Sequence, residues 1–321
     1  LFFIIHYSLL AIHYSFAQQS KIDSLKNVLL TAKEDTNKVN ALNKLAYALQ
    51  YSNPDSTILL AQQAAELAGK INFLKGKANA YSSAGVGYWV KGDYPNALEN
   101  YFTALKMDEA LKNKNGIAKR LGNIGIVYRI QGDYPKALDY YFRALKMDEE
   151  LGNRNGVARH LGSIGSVYDI QGDYPKALDY YFRALKMDEE LGNRNGVARH
   201  LGNIGIVYDE QGDYPKALDY YFKALKMKKE LGNKNGIAIT LGNTGLAYNN
   251  QGDYPKALDY YFRALKMAEE LGNRNVVARH LGNIGLAYNN QGDYPKALDY
   301  FFRALKMAEE LEDKNSIAIL L

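Results

Sequence analysis

Histidines and clustered carboxylates are the side chains of this sequence that could do chemistry. His160, His200 and His280 recur in the same five-residue string, so a metal site or a phosphoryl carrier must be considered. A shared ion needs its ligands about 2 Å from one centre, whereas equivalent residues of neighbouring helix pairs would lie roughly 20 Å apart. Arg120 and Thr240 replace histidine in other copies. The pattern therefore predicts structural or solvated histidines and no metal site.

The carboxylate run at 148–150 could in principle supply a general acid and a general base. It lies near basic residues on what the pattern predicts to be a solvated helix end, and one copy carries Lys228-Lys229 at matching positions. The sequence has no Walker loop, no G-x-S-x-G or H-E-x-x-H motif and no dinucleotide fingerprint. Since an array of near-copies offers no unique site, we predict that the protein is not an enzyme and needs no cofactor.

Composition excludes several other classes of protein. The chain has 321 residues, of which 47% are hydrophobic and 23% charged, as in folded proteins. The net charge of +5 is spread along the chain, whereas nucleic-acid binders gather basic residues in a patch or stripe. The absence of cysteine excludes a disulfide framework, a thiolate nucleophile and cysteine metal sites. We expect no nucleic acid and no small-molecule cofactor among the partners.

The chain is built from near-copies of one unit. Gly-Asp-Tyr-Pro begins at positions 92, 132, 172, 212, 252 and 292, a period of 40, and segments 131–162 and 171–202 are identical. A fixed period of this size predicts an array in which each unit buries its apolar face only against its neighbours.

Each unit is predicted to be a helix–turn–helix. In one copy, the first helix runs from about Gly116 to Gln131, and Pro135 suits the first turn of a second helix that ends near Leu151. Glycines inside the first helix cost about 1 kcal/mol each relative to alanine, which predicts close packing against the second helix. The tyrosines at helical spacing are predicted to be core residues: Tyr128, Tyr134, Tyr140 and Tyr141.

This pattern resembles the tetratricopeptide repeat. The residues that carry the resemblance in one copy are Leu121, Gly125, Tyr128, Gly132, Ala137, Tyr141 and Ala144. The resemblance implies an all-α fold, a right-handed α-solenoid of about seven helix–turn–helix repeats, and a first, degenerate unit at 36–70. The period of 40, rather than about 34, is similar to that of a long-helix subgroup.

The two ends of the sequence carry further expectations. Residues 1–17 are apolar and uncharged and end in a small-residue pattern, typical of an N-terminally incomplete signal peptide, although a short membrane anchor or a buried helix would also fit. We expect an N-terminal helix at 18–35 and the repeat array at 36–321, with the last repeat truncated. The protein is then exported, to the periplasm or cell envelope of a bacterium, and any membrane tether lies in flanking sequence.

The first helices are expected to line a concave groove. At about 100° per residue, Lys119, Asn123 and Ile126 lie on one face, opposite the core stripe. The resemblance implies that asparagine and basic residues on this face hold a protein or peptide segment. The candidate groove residues are Lys119, Asn123, Arg159, Arg199, Asn203, Glu210, Asn243, Asn250, Arg279, Asn283 and Asn290.

Other roles remain open for these residues and for the chain. The asparagines could instead solvate the contacts between units, and the pairs before each turn, such as Asp209-Glu210, vary between copies through either recognition or neutral drift. The leading prediction is a non-catalytic protein- or peptide-binding scaffold. The wording of the units also resembles the front half of bacterial exported sensors. This implies, as the alternative, the input region of a signalling protein whose kinase, cyclase or DNA-binding output is absent from this chain. A purely structural spacer is the third possibility.

Overall fold

A computed structural model of the protein describes residue 20 and residues 22–311, and the described residues form α-helices joined by short turns, without strands. The expected signal peptide at 1–17 and the truncated last repeat at 312–321 lie outside the described residues. A helix at 22–31 (α1) falls within the expected N-terminal helix. The helices that follow are α2 Thr36–Leu49, α3 Pro54–Lys70, α4 Leu74–Val90, α5 Tyr94–Ala110, α6 Lys114–Ile130, α7 Tyr134–Glu150, α8 Arg154–Ile170, α9 Tyr174–Glu190, α10 Arg194–Glu210, α11 Tyr214–Glu230, α12 Lys234–Asn250, α13 Tyr254–Glu270, α14 Arg274–Gln291 and α15 Tyr294–Glu310.

The Gly-Asp-Tyr-Pro string ends one helix and starts the next. Gly132 takes φ +78°, a left-handed conformation that favours glycine. Asp133 then accepts a hydrogen bond from the backbone N–H of Lys136, and Pro135 fills the second helical position. Asn113 caps α6 in the same way. The helices therefore start one or two residues before the predicted positions, directly after these capping side chains.

Within each pair from α4–α5 onward, a ring of the second helix rests on a glycine of the first. A Cβ on Gly125 would lie 2.7 Å from the ring of Tyr141, which is 1% exposed. The same contact joins Gly205 to Tyr221. The predicted close packing is thus confirmed, and its cause is a tyrosine ring that needs the space an alanine methyl would fill.

The other tyrosines flank this core in stacked pairs. Tyr168 and Tyr180 stack with ring centroids 5.6 Å apart. Lys176 covers the outer face of the first ring and Arg183 that of the second, at 5.0 and 5.1 Å from the centroids. These cation–π contacts keep half-buried rings packed at the edge of the core. The predicted core role of the tyrosines extends in this way to the half-buried ones.

The helices divide between two compact units, one up to Gly156 and one from Val157 onward. In the first unit, each helix from α2 to α6 packs against the next one in the chain. In the second unit, each helix from α9 to α14 does the same, and α8 contacts α9 through Gly165 and the ring of Tyr181. The described residues thus contain seven helix pairs, which confirms an all-α repeat solenoid. No helix among them is both long enough and apolar enough to span a membrane.

Glycine-to-alanine changes within one helix test the ring contact. Gly205→Ala should lower the free energy of unfolding by about 1–3 kcal/mol, because its methyl would lie 2.6 Å from the Tyr221 ring. Gly202→Ala, on the same helix, meets only the Lys228 ammonium at 3.5 Å. This control should raise stability by up to about 1 kcal/mol through helix propensity. Urea denaturation measures both, and equal stability of the two variants would contradict the packing argument.

Candidate functional site

A buried polar pair joins the second helix of one repeat to the first helix of the next. We call this the joint pair; its members are twelve residues apart. Asp108 and Arg120 form one, with Oδ2 and Nε 3.0 Å apart and the two side chains 1% and 7% exposed. The guanidinium also donates to Ser82 Oγ and Asn79 Oδ1, each at 2.9 Å. An ion pair this buried is stable only because its hydrogen-bonding groups are satisfied in this way.

The expectation of a solvated carboxylate at 148 is wrong. Asp148 is 1% exposed, because it occupies the joint position of α7 and turns inward. Asn153 Nδ2 donates to its Oδ1 at 2.8 Å, while the Asn153 Oδ1 caps the next helix at Gly156. A side chain on Gly156 would overlap the carboxylate. The carboxylate therefore organises the start of a helix, and Glu149 and Glu150 are the exposed members of the run.

The joint pair of the second unit's first two repeats contains a histidine. His200 Nε2 lies 3.1 Å from Asp188 Oδ2, and both side chains are buried. Burial first, and then the charge of Arg199, lowers the pKa of His200 to about 4. Burial likewise lowers the pKa of His280. The other position of its joint pair, twelve residues earlier, is occupied by the buried Ala268. The described histidines are therefore packed between helices, which confirms their predicted structural role.

One joint pair reverses the usual charge. Lys228 stands where the other repeats have Asp108 or Asp188, and its Nζ donates to Thr240 Oγ1 at 2.7 Å. Burial lowers the pKa of this ammonium. The sequence signal for this reversal is the Lys228-Lys229 pair, which departs from the acidic residues of the neighbouring copies.

A cavity of about 360 Å³ opens on the first-helix face of the second unit, beside this joint pair. It brings together Arg199, Asn203 and Asn243, three of the predicted groove residues. Apolar surface comes from Ile206 and Ile239. Its other lining residues are Asn195, Ala198, Gly202, Tyr221, Lys228, Asn233, Asn235, Gly236 and Thr240.

The predicted asparagine row has unused hydrogen-bonding groups. Asn203, Asn243 and Asn283 are half-buried on the first helices of the second unit, and their amides make no hydrogen bond to any residue that the structure describes. Asn123 has the same environment in the first unit. Partly buried amides need partners for both donor and acceptor. This row is therefore open to water or to a ligand.

The remaining predicted residues are exposed but differ in their contacts. Arg199 lies 3.9 Å from Asp188, while Ser163, at the row position of α8, donates to the backbone carbonyl of Arg159 at 3.0 Å. The exposed members are Lys119, Arg159, Arg199, Glu210, Asn250, Arg279 and Asn290. A peptide-binding role for them stays a prediction.

The sequence suggested that the variable pairs before the turns are free of packing constraints. The structure shows that they are not. Asn250 Nδ2 donates to Asp209 Oδ1 at 3.4 Å, and Asn290 Nδ2 donates to Asn249 Oδ1 at 3.3 Å. Asp209 and Asn249 are buried. The first residue of these two pairs thus accepts a hydrogen bond from the next repeat, which limits the chemistry that drift could leave there.

Burial raises the pKa of two acidic residues that stand before the turns. Burial and the charge of Glu210 raise the pKa of Asp169 to about 7. Burial raises that of Asp209 to about 6, and the hydrogen bond from Asn250 opposes the rise. At neutral pH, Asp169 can therefore hold a proton between itself and Glu210.

Known proteins resemble this chain in sequence pattern and in fold. The profile of the Tetratricopeptide repeat family matches residues 76–150, 121–190, 156–230 and 236–310. No curated protein matches the sequence. The apo form of RapI is 16% identical, with 86% of this chain and 99% of that chain aligned and a TM-score of 0.69.

Two further solved structures share the fold. A Rap protein complexed with Competence and Sporulation Factor is 16% identical over 95% of this chain and 96% of that one, with a TM-score of 0.60. The quorum sensor NprR from B. thuringiensis, in its apo form, is 17% identical over 88% and 80%, with a TM-score of 0.60. At these identities the likeness shows the fold alone.

The Glu210→Gln variant tests the contact between the acidic residues. Removing the like charge should lower the pKa of Asp169 by about one pH unit, because a neighbouring carboxylate disfavours ionisation. A carbon-13 NMR titration of the carboxyl carbons measures it. Glu230→Gln, an exposed change on α11, is the control and should leave the Asp169 pKa unchanged. An equal effect of the two variants would remove Glu210 as a cause.

Proposed function

Because the chain belongs to the tetratricopeptide repeat family, we propose that it is a non-catalytic scaffold holding an extended protein segment on its first helices. The observation that carries the proposal is the row of half-buried amides at Asn203, Asn243 and Asn283, which no described residue satisfies. Each amide can donate to a peptide carbonyl and accept from a peptide N–H. A row repeated once per helix pair suits a ligand that repeats its own backbone groups.

The neighbouring side chains add charge and apolar contacts to this row. Arg199 and Arg279 are exposed four residues before Asn203 and Asn283, on the same helix face. Ile206 lines the cavity and Leu286 is 40% exposed, so apolar side chains of a bound segment would find partners between the amides. Polar groups that fix the backbone and apolar groups that bury side chains are the usual division in peptide recognition.

A binding role without catalysis agrees with where the titratable groups lie. His200 and Asp188 face each other inside a joint pair, and Asp169 faces Glu210 near a turn. The shifted pKa values of His200 and Asp169 arise from burial between repeats and from neighbouring charges. Each group therefore has a structural explanation that needs no substrate, although perturbed pKa values often mark active sites.

A sensory input region of a signalling protein is the second candidate. It is favoured by the likeness in fold to the quorum sensor NprR and to the Rap protein that was solved with Competence and Sporulation Factor. In this reading the same amide row would receive the signal.

We also propose that the protein is exported, because residues 1–17 have the apolar composition of a signal peptide. A mature N-terminus at Gln18 would be its signature.

The double variant Arg199→Ala/Asn203→Ala tests the binding face. Peptides are first selected from a random display library on the unaltered protein. They should bind the double variant at least about tenfold more weakly than the unaltered protein, since hydrogen bonds to charged groups contribute about 1.5–3 kcal/mol each. Fluorescence anisotropy measures the Kd. The control is Lys186→Ala/Lys266→Ala, two exposed changes on second helices, which should leave the Kd unchanged. If the affinity of the first variant is unchanged, this face does not bind the peptides and serves only as a spacer.

A further inference from the structure

Two lysines of α11 stand in opposite surroundings. Lys223 is exposed, its Nζ lies 2.7 Å from Asp219 Oδ2, and the hydrogen bond to this carboxylate raises its pKa. Lys228 is half-buried, and no carboxylate among the described residues forms an ion pair with its Nζ. Burial lowers its pKa, with no neighbouring charge acting against that shift. Lys228 therefore supplies a neutral amine more readily than Lys223 does.

The hydrogen bond to Thr240 leaves the electron pair of that amine free. Thr240 Oγ1 donates its own hydrogen to the Gly236 carbonyl oxygen at 2.8 Å, so it accepts from Lys228 Nζ at 2.7 Å. A neutral amine in this place donates one N–H to the hydroxyl and keeps its lone pair for an electrophile. A desolvated lysine in its neutral form is a nucleophile.

The amine faces a cavity that would admit a small electrophile. Lys228 and Gly202 both line the cavity of about 360 Å³ on the first-helix face. The Nζ lies 3.5 Å from where a Cβ on Gly202 would stand, so a side chain there would narrow the approach that the glycine leaves open. The volume is that of several water-sized molecules. Size therefore favours a reagent of a few atoms.

The charges that line the cavity select the kind of electrophile. Arg199 lines it as well, so two cations face it whenever Lys228 is protonated, and the carboxylate 3.9 Å from Arg199, Asp188, already pairs with His200. An aldehyde would convert the amine into a cationic imine, and an acyl donor would convert it into a neutral amide. Carbon dioxide would convert it into an anionic carbamate, which alone balances the charge of Arg199.

We propose that Lys228 is a modification site that reversibly forms a carbamate with dissolved carbon dioxide. The Nζ lone pair attacks the carbon and forms an N–C bond, while one C–O π pair moves to oxygen and the nitrogen releases a proton to water. Starting from the ammonium, two protons are released in all, and nothing is oxidised or reduced.

The cavity holds donors for the product. The carbamate nitrogen keeps one N–H, which can still donate to Thr240 Oγ1. The guanidinium of Arg199 and the amides of Asn203 and Asn243 line the same cavity and would donate to the two carbamate oxygens. The reaction needs no peptide, so it stands or falls separately from the proposed function.

Chemical trapping on the unaltered protein tests the site. The protein is equilibrated with carbon-13 bicarbonate at mildly alkaline pH, carbamates are fixed by O-alkylation with triethyloxonium ion, and peptide mass spectrometry measures the label at each lysine. Lys228 should carry at least about tenfold more label than Lys223, since one charge-assisted hydrogen bond to the product gives a factor of that size. Lys223, paired with Asp219, is a control within the same molecule.

Carbon-13 NMR with variants identifies the labelled group. One carbamate resonance of the unaltered protein should disappear in Lys228→Met, weaken several-fold in Arg199→Gln and persist in Lys223→Met. Lys228→Asp combined with Thr240→His rebuilds the joint pair of Asp188 and His200 and should also lack the resonance. This second variant serves if Lys228→Met does not fold, which circular dichroism and urea denaturation check.

Three results would overturn the proposal. The first is equal label at Lys228 and Lys223, and the second is a set of carbamate resonances that is unchanged in both Lys228 variants. The third is full labelling of Arg199→Gln, because the choice of carbon dioxide depends on that positive charge. Since no peptide takes part in these measurements, loss of the carbamate and loss of peptide binding are separate results.

Discussion

The contact on which the six repeats from α4 onward depend is the aromatic ring of a second helix against a glycine of the first. It recurs from Gly85 with Tyr101 to Gly285 with Phe301, and in each case a methyl group on the glycine would overlap the ring. The ring brings the two helices to one fixed separation, and the apolar residues around it are completed by the next repeat. Because the core is made this way in these six repeats, they differ from one another mainly at positions that this contact does not constrain.

Those differences gather at two places that link one repeat to the next. The joint pairs combine Asp with Arg or His, Lys with Thr, and Ala with His. The pairs before the turns combine carboxylates and amides, as in Asp209 with Asn250. In both places the two members lie on different helices, and either member can change alone: Ala268 replaces the acidic residue while His280 is kept. Substitutions at these positions change the charge of single repeats without changing the solenoid fold.

Lys228 shows how such a change alters the charge of a single repeat. The same position that elsewhere buries a carboxylate and stabilises a helix start here directs an ammonium toward a cavity beside the amide row. Two neighbouring joints are therefore chemically different although their helices are nearly identical. In an array of near-copies, a single reversed charge is enough to make one joint pair electrostatically different from the rest.

The repeat period, the two helices of each unit, their caps and the all-α class were determined by the sequence, because they depend on local signals: glycine and proline at turns, Asp and Asn as caps, and apolar residues at helical spacing. The face that bears Asn203 and Asn243 also followed from helical periodicity. Only the tertiary structure decided which polar residues are buried. Asp148 and Asp209 looked solvated because their partners belong to other helices and, for Asp209, to another repeat. The same holds for Lys228, whose environment is set by Gly202 and Thr240 on two different helices. Periodicity along one helix carries no information about what an adjacent helix places against it.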